Sequence, residues 1–316
     1  MENGNIKNNG LAVETQSEIT ISVVIAWVNS YDLLAAGISA MLKGLRKPDE
    51  IIVVSRHDSA ELDKLKAGFP NVVLIEAESG TTIPKLRSLG LRRAASSVVV
   101  ITEDHCVPSK DWLRVVERQI GRGYDMVAGP VENAWDDRIR DSAAFLTEYA
   151  FAIRPANEIG EVSEDGPFAG NNAAYRRDLI DGLCRTLDEG RWESFYHDEM
   201  RAEGKKLLYD AAMLLYHSRP FDFMYFVSQR FHFCRSFAEM RRESLGTAGR
   251  IKYGIGCAVL PPLLWLRGLQ LLRKKQRFIG RYFLCSPLIA LYLCSGALGE
   301  MNGYLFGGGN SLARVE

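Results

Sequence analysis

The stretch VVVITEDHCVP, residues 98–108, decides the fold because an unbroken apolar run stops abruptly at three polar residues. Such a run of β-branched residues is typical of a parallel strand that helices cover on both faces. Glu103, Asp104 and His105 follow it directly, and open α/β sheets bind ligands at the carboxyl ends of such strands. The alternative is a plain polar loop in which Glu103 caps the next helix. The stretch therefore predicts a buried strand with a candidate ligand site at its end.

Apolar runs and helical spacing alternate along the first half of the chain. Strands are predicted at 19–28, 51–54, 71–75 and 126–131, and helices at 31–45, 59–66, 84–95 and 108–118. Pro108 lies near the start of the last of these helices, where a proline is well tolerated. This alternation predicts a mainly parallel sheet flanked by helices.

Composition places the chain among folded proteins. It has 316 residues, 47% of them hydrophobic, and its 39 basic residues balance its 39 acidic ones, so no global charge favours nucleic acid. The six cysteines form no CxxC pair, which favours reduced thiols over disulfides or a zinc site. Residues 1–18 are polar and lack the apolar core of a signal peptide. We expect a disordered tail there and a catalytic part that stays in the cytoplasm.

Several motifs together resemble the family-2 glycosyltransferases, which have a GT-A fold. The strand at 21–25 and the segment PDEIIVV at 48–54 are similar to the nucleotide-binding half of that family. The segment LRSLGL at 86–91 resembles its arginine-containing helix, which implies that Arg87 contacts substrate. The resemblance covers nearly the whole chain, and it implies an α/β GT-A domain that uses a nucleotide-diphospho-sugar.

Aligning Pro108 and Trp112 with the family's proline and tryptophan puts Glu103 and His105 on the acidic positions of its metal motif. Asp104 becomes the middle residue. A divalent cation there would neutralise the diphosphate as it leaves. His105 replaces a carboxylate, and nitrogen ligation favours Mn²⁺ over Mg²⁺. The alternative is a surface histidine bonded to a backbone carbonyl.

The segment GNNAAYRR at 170–177 resembles the family's acceptor-side loop. Gly170 would allow a sugar to approach the backbone closely, and Asn171 or Asn172 offers donors and acceptors for its hydroxyl groups. A glycine-asparagine turn without functional role is the alternative.

Donor contacts are less clearly marked. The family usually has an aspartate after the second strand, where this chain has Ser55 followed by Arg56 and Asp58. Arg56 is a candidate for nucleotide contact and Asp58 for the missing carboxylate, although Asp58 and Ser59 would equally serve as a helix cap. Three further residues resemble a segment that closes over the diphosphate in related synthases, or else belong to a basic surface helix: Gln229, Arg230 and Arg235.

The catalytic base falls on Glu193 by the same resemblance. Inverting transfer needs a carboxylate that takes the proton of the attacking hydroxyl, and a predicted helix start at Glu193 suits that task. Asp198 is the rival, unless it lies on a solvated helix face. His217 follows a predicted strand at 211–216 and would complete the metal site, although such a histidine is more often structural.

The carboxyl third is apolar. Residues 253–266 and 282–299 carry no charge, and six basic residues lie between these two runs. Both runs are short for a membrane span, and a basic connector on the outer side would oppose the positive-inside tendency. We therefore expect interfacial or re-entrant helices that meet anionic lipids, with a soluble helical hairpin as the alternative.

These observations predict three parts: a tail (1–18), a GT-A domain (19–245) and a membrane-associated helical region (246–316). The predicted function is metal-assisted, inverting sugar transfer to a lipid-linked or polysaccharide acceptor, at the cytoplasmic face of the plasma membrane. A catalytically silent protein of the same fold remains open. A nucleotidyltransferase is disfavoured, because residues 26–31 contain no glycine-rich phosphate loop.

Overall fold

The computed structural model describes residues 19–135, 138–156, 162–163 and 168–315. The predicted tail at 1–18 lies outside the described residues. The strands are β1 (Ile21–Trp27), β2 (Glu50–Ser55), β3 (Val73–Glu76), β4 (Val98–Glu103), β5 (Cys106–Pro108), β6 (Met126–Ala128), β7 (Val131–Asn133), β8 (Val162–Ser163), β9 (Ala173–Arg176), β10 (Leu207–Asp210) and β11 (Leu215–His217). The helices are α1 (Tyr31–Leu42), α2 (Ser59–Gly68), α3 (Ile83–Arg93), α4 (Trp112–Gly121), α5 (Ile139–Tyr149), α6 (Ile180–Asp188), α7 (Glu193–Ala202), α8 (Phe223–Arg242), α9 (Thr247–Gly256), α10 (Leu260–Lys275) and α11 (Ile279–Phe306).

The main sheet has the order β3-β2-β1-β4-β9-β6-β10-β8. Its first four strands are mutually parallel and β6 is parallel to β10, whereas β9 and β8 run antiparallel to their neighbours. A smaller sheet, β5-β11-β7, stands beside it. The predicted α/β fold with a mainly parallel sheet is confirmed.

Helices cover both faces of the main sheet, which explains why β1 is buried along its whole length. One face packs against α3, α6 and α7, and the other against α1, α2 and α4. A third apolar cluster joins α5 to α8, α10 and α11. The core thus holds the carboxyl ends of β1 and β4 at a fixed edge, beside the third cluster.

Three details of the predicted elements are wrong. The strand predicted at 211–216 is confined to β11, because residues 211–214 form the turn that connects β10 to it. Pro108 does not begin a helix: it ends β5 at the edge of the small sheet, and α4 starts at Trp112. An edge strand tolerates proline, because the side of the strand without a neighbour needs no backbone N–H donor. The single strand predicted at 126–131 is divided by Gly129 and Pro130 into β6 and β7, which belong to different sheets.

The carboxyl-terminal helices pack onto the rest of the protein. Helix α11 lies along α8 at close range, since a Cβ added at Gly299 would come within 2.1 Å of the Phe231 carbonyl oxygen. Two helical segments are long and apolar enough to cross a membrane by length and composition: Thr247–Lys275 and Ile279–Phe306. Within an apolar stretch of 18 residues in each segment, 17% is buried in the first segment and 44% in the second. The first segment therefore exposes most of its apolar surface.

The basic residues around the α10–α11 turn fall into two groups. Lys275 donates to the Phe151 and Ile153 carbonyls, Arg277 pairs with Glu132, and Arg281 donates to Ser142. The second group is exposed and consists of Arg267, Arg273 and Lys274. Half of the basic residues between the two apolar runs therefore fasten the hairpin to the domain.

All six cysteines are free thiols, as expected from their spacing.

Candidate active site

A cavity of about 420 Å³ opens at the carboxyl ends of β1 and β4. Residues from both strand ends, from α3, α5, α7 and α8, and from the last part of the chain line it. A smaller cavity of about 70 Å³ adjoins it. The residues common to both are Glu103, His105, Glu148, Tyr149, Arg230, Phe233 and Val315. The predicted polar triplet thus lies in a real cleft rather than in a plain surface loop.

Arg87 connects two carboxylates that are distant in the sequence. Its two terminal nitrogens donate to Glu193 at 2.6 Å and to Glu103 at 2.8 Å. Both Arg87 and Glu193 are almost fully buried. Burial lowers the pKa of the guanidinium, but the charges of Glu193 and Glu103 outweigh this and raise it. Arg87 therefore stays charged and fixes the spacing of the two carboxylates.

The loop before β9 completes the positioning of these carboxylates. A Cβ on Gly170 would come within 2.6 Å of Glu193 Oε2, so a larger residue there would displace that carboxylate. The Asn171 side-chain amide donates to Glu103 Oε2 at 2.9 Å and to the Tyr149 hydroxyl at 3.1 Å. Its Oδ1 atom is buried without a hydrogen-bond partner among the described residues, which leaves an acceptor for a ligand.

Asp104 holds the end of β1 rather than facing the cavity with free oxygens. Its carboxylate accepts from the backbone N–H groups of Val28 and Asn29 at 2.7 and 2.6 Å, and from the Asn29 side chain at 2.8 Å. It also lies 2.8 Å from His105 Nδ1. Asp104 thus orients the imidazole, with Nε2 directed toward Glu103 at 3.3 Å.

His105 is buried between the carboxylates of its two predecessors. Burial lowers the pKa of the imidazole, but hydrogen bonds with Asp104 and Glu103 raise it to about 9. For Glu103, burial raises the pKa, and the hydrogen bond and charge of His105 with the charge of Arg87 lower it well below its usual range. A proton on Nε2 therefore occupies the place where a cation would bind both groups.

The donor atoms near His105 fit a divalent cation. Potential ligand atoms of Glu103, His105 and Cys106 lie within 4.8 Å of one another. Burial raises the pKa of the Cys106 thiol well above its usual value, so the ligands are the Glu103 carboxylate and, once a cation displaces its proton, the His105 imidazole. The His217 ring is 4.6 Å from that of His105, and its Nδ1 is buried without a partner among the described residues. Carboxylate and imidazole together suit Mn²⁺.

His217 has a mostly apolar environment. Its ring stacks on Phe221 at 4.7 Å and lies near Phe145 and Tyr149. Burial lowers its pKa well below the usual value, which keeps the imidazole neutral. A neutral imidazole with an unpaired nitrogen is the form that can bind a metal.

The structure does not bring all the predicted site residues to the cavity. Asn172 is fully buried beneath the loop, where its side chain bonds Trp112, Pro130 and Met213. Asp198 is exposed on α7 and pairs with Arg201 at 2.9 Å. Both positions match the structural alternatives: a folded turn for Asn172 and a solvated helix face for Asp198.

The residues predicted from the second strand also lie outside the two cavities. Asp58 caps α2 by accepting from the Glu61 N–H at 3.2 Å, as the capping alternative expects. Arg56 donates to the Thr81 carbonyl at 2.8 Å. Neither is among the residues that line the two cavities.

The three site residues predicted on α8 do not all reach the cavities. Arg230 lines both cavities, and its Nε is buried without a partner among the described residues. Gln229 lines the smaller cavity and donates to the Arg314 carbonyl at 2.9 Å. Arg235 instead donates to the Gly307 carbonyl at 2.8 Å, outside both cavities. Arg230 is therefore the member best placed for an anionic ligand.

Many of the residues that line the cavities were not predicted from the sequence, and three of them bear on the site. Asn29 holds Asp104, Glu148 faces the space between the cavities, and Val315 closes one wall. Asn29 follows the first strand closely, so its position at a strand end offered a signal. Glu148 and Val315 belong to no motif, and only the packing of α5 and of the last residues brings them to the site.

The fold and the site define a GT-A-type transferase, and sequence comparison agrees. Residues 22–183 match the model of Glycosyl transferase family 2, just over half of the chain. The chain belongs to this family and is a glycosyltransferase, which sets aside the nucleotidyltransferase alternative. A search of curated proteins finds no match.

Solved structures give remote similarities. Mannosyltransferase PcManGT from Pyrobaculum calidifontis, in complex with GDP-Man and Mn²⁺, has a TM-score of 0.49 and 17% identity, over 95% of this chain and 86% of that one. GalNAc-T7, with UDP, GalNAc and Mn²⁺, has a TM-score of 0.46 and 14% identity, over 65% of this chain. The match spans 44% of the GalNAc-T7 chain.

Proposed function

We propose that this glycosyltransferase moves a sugar from a nucleotide-diphospho-sugar to a hydroxyl group of a lipid-linked or polysaccharide acceptor, with inversion. The observation that carries the proposal is the buried Glu193–Arg87–Glu103 bridge. It sets one carboxylate beside His105 at the strand ends and holds a second one in the wall of the same cavity.

The donor side is formed by the carboxyl ends of β1 and β4. Glu103 and His105 would hold a divalent cation, Mn²⁺ rather than Mg²⁺, and this cation would offset the charge of the leaving diphosphate. Arg230 offers a guanidinium to the same diphosphate, since its Nε is unpaired among the described residues. Asp104 keeps His105 oriented.

Glu193 is the proposed base. The acceptor oxygen forms a bond to the anomeric carbon while the bond from that carbon to the diphosphate oxygen breaks, and the electron pair leaves with the nucleoside diphosphate. The acceptor proton passes to Glu193. Its Oε1 is bound by Arg87, and Oε2 lies against Gly170. A single displacement of this kind inverts the anomeric configuration.

The exposed apolar helices support an acceptor at a membrane. Ile255, Val259, Leu266 and Leu284 are each at least half exposed on α9, the following turn, α10 and α11. The exposed basic residues Arg267 and Arg273 lie on the same hairpin. Apolar surface flanked by positive charge suits the headgroup region of an anionic bilayer. We place the protein at the cytoplasmic face of the plasma membrane.

The direct test is sugar transfer by the full chain. UDP-sugars and GDP-sugars are incubated with Mn²⁺ or Mg²⁺ and a membrane lipid extract, and both released nucleotide and glycosylated product are measured. We expect transfer with at least one donor, greater activity with Mn²⁺, and loss of transfer with chelator. An anomeric configuration retained in the product would contradict single displacement. No turnover and no nucleotide-sugar binding with any donor would favour the catalytically silent alternative.

A further inference from the structure

Glu148, near the end of α5, is a cavity carboxylate that the proposed chemistry does not use. It lines the main cavity and the smaller one, next to Tyr149. Among the described residues, none forms a hydrogen bond or ion pair with its side chain. Burial raises the pKa of its carboxyl group. A carboxyl group in such a place carries a desolvation penalty that a ligand able to donate a hydrogen bond would relieve.

The other carboxylates that line the cavity are already occupied. Glu103 is bound by Arg87 and Asn171, and Glu193 is bound by Arg87. Asp104 accepts several hydrogen bonds from the end of β1. Glu148 therefore has acceptor oxygens to offer that its neighbours in the cavity have largely used.

Glu148 lies where the two cavities meet, and it lines both of them together with Glu103, His105 and Arg230 of the donor side. It lies on α5, whereas the donor side is built from the ends of β1 and β4. The same cavity has an aromatic wall. The ring centroids of Trp192 and Phe233 are 5.3 Å apart, and Phe237 stacks on Phe233 with a centroid distance of 6.0 Å. Because Glu148 and these rings line one cavity, a ligand there would find a hydrogen-bond acceptor and apolar contact together, which is the kind of lining that orients a bound ligand.

We propose that Glu148 binds a hydroxyl group of the sugar unit of the acceptor and thereby sets which acceptor is used. This inference rests on the proposed transferase function. A hydroxyl group suits the place better than an ammonium group, because the positive charge of Arg230 acts on Glu148 and would repel a second cation. Glu148 is a specificity-determining residue in this scheme, and Glu193 keeps the role of base.

Two substitutions test the role in the full chain. With octyl glucoside, octyl galactoside and octyl mannoside as acceptor probes, Glu148→Ala should raise the acceptor KM about tenfold or more, as expected for a lost hydrogen bond to a charged group. Glu148→Gln keeps an acceptor oxygen and should restore part of this loss. The Kd of the nucleotide-sugar and its slow hydrolysis by water should stay unchanged in both variants.

Thr147→Val is the matched control. Thr147 precedes Glu148 on α5 and lines the same cavity, but its hydroxyl already donates to the Ala143 carbonyl at 2.7 Å. Its acceptor KM should stay at the wild-type value. An equal change in Thr147→Val, an unchanged acceptor KM in Glu148→Ala, or a parallel rise of the donor Kd would each overturn the proposal.

Binding of the same glycosides, followed by ligand-observed NMR, separates this proposal from the proposed function. If the wild type binds a glycoside and Glu148→Ala does not, Glu148 has the inferred role even where transfer is absent. If transfer proceeds but glycoside binding is the same in both proteins, only the inference about Glu148 is contradicted. Failure of the wild type to bind any of the glycosides also overturns it.

Discussion

Arg87 is the side chain on which the geometry of the site depends. It is buried, and each of its terminal nitrogens binds a different carboxylate, Glu193 and Glu103. Lysine could not replace it, because a single ammonium cannot reproduce the planar fork that separates the two partners. The proposed base and the proposed metal ligand are thus held by one group.

Glu193→Gln should lower kcat by about 10² or more, since the amide keeps the shape of the side chain but cannot take the proton of the acceptor. Steady-state transfer assays measure the rate, and calorimetry measures donor binding, which should persist. Asp198→Asn is the control: an exposed ion pair contributes little, so its kcat should change by less than about twofold. A larger loss in Asp198→Asn than in Glu193→Gln would exchange the two roles.

His105→Ala should abolish the metal-dependent part of nucleotide binding, because it removes the imidazole next to Glu103 and leaves that carboxylate with only the buried thiol of the cluster. Titration calorimetry with UDP and GDP, with Mn²⁺ or with chelator, measures this directly. In the wild type the chelator should weaken binding, and in the variant it should have no further effect. Equal affinities of wild type with and without chelator would contradict a metal at His105.

At the scale of elements, β9 and α7 meet through a buried pair that links two parts of the site. The Tyr175 hydroxyl lies 2.7 Å from His197 Nε2, and Phe168 packs edge-on against the imidazole. Burial lowers the pKa of His197 to about 3. This histidine therefore stays neutral in the folded protein, on the same helix that begins with Glu193.

The stability of the fold should consequently fall in acid. Between a pKa of 6.5 in the unfolded chain and about 3 in the fold, only the unfolded state binds the His197 proton. Unfolding free energy should therefore decrease as pH falls through this window, by up to about 1.4 kcal/mol per pH unit from this residue. Urea unfolding of the wild type and of His197→Gln should give free energies whose difference changes with that slope. A constant difference from pH 7 to pH 4 would contradict a neutral buried His197.

Elements were more predictable than contacts between them. The apolar run of β4 and the polar residues after it marked a strand end, and that prediction depends only on local sequence. The Arg87–Glu193 contact joins residues 106 positions apart, which no spacing rule indicates. Asn171 and Asn172 look alike in sequence, yet in the turn that leads into β9 one faces the cavity and the other the core.

Prolines explain why some predicted element boundaries were wrong although the elements themselves were predicted correctly. Pro108 is compatible with a helix start and with an edge strand, and the small sheet decided between them only through pairing with Leu215.

Glu148 could not be predicted as a site residue, because a glutamate on an amphipathic helix is ordinarily solvent-exposed. Its surroundings come from α8 and from the last residues of the chain.

At the scale of the whole molecule, the α10–α11 hairpin has an apolar surface and a basic turn that is only partly free. Arg277 and Arg281 bind the domain, whereas Arg273 and Lys274 are exposed. The hairpin is therefore fastened on one side and presents charge on the other. This arrangement fits a helix pair lying in the headgroup region, as proposed above.

Combined Arg273→Glu and Lys274→Glu substitutions should weaken binding to phosphatidylglycerol vesicles by about tenfold or more, since each basic residue near an anionic surface contributes about 1 kcal/mol. Binding to phosphatidylcholine vesicles should change little. Lys64→Glu with Lys66→Glu, on α2, gives the same change in net charge at exposed sites outside the hairpin. Equal losses in the two double variants, in co-flotation assays, would contradict docking through the hairpin.

The segment that follows α11 runs back along α8 and reaches the wall of the main cavity. The Gly308 N–H donates to the Glu239 carboxylate, and the Ser311 hydroxyl lies 3.1 Å from His232 Nδ1. Val315 is buried. Residue 19 lies at the opposite, amino end of β1, about 20 Å away along the strand. An affinity tag fused at the carboxyl end would thus begin close to a wall of the cavity, whereas β1 enters the sheet at the edge away from that cavity. Preparations for the assays above should carry their tag at the amino end.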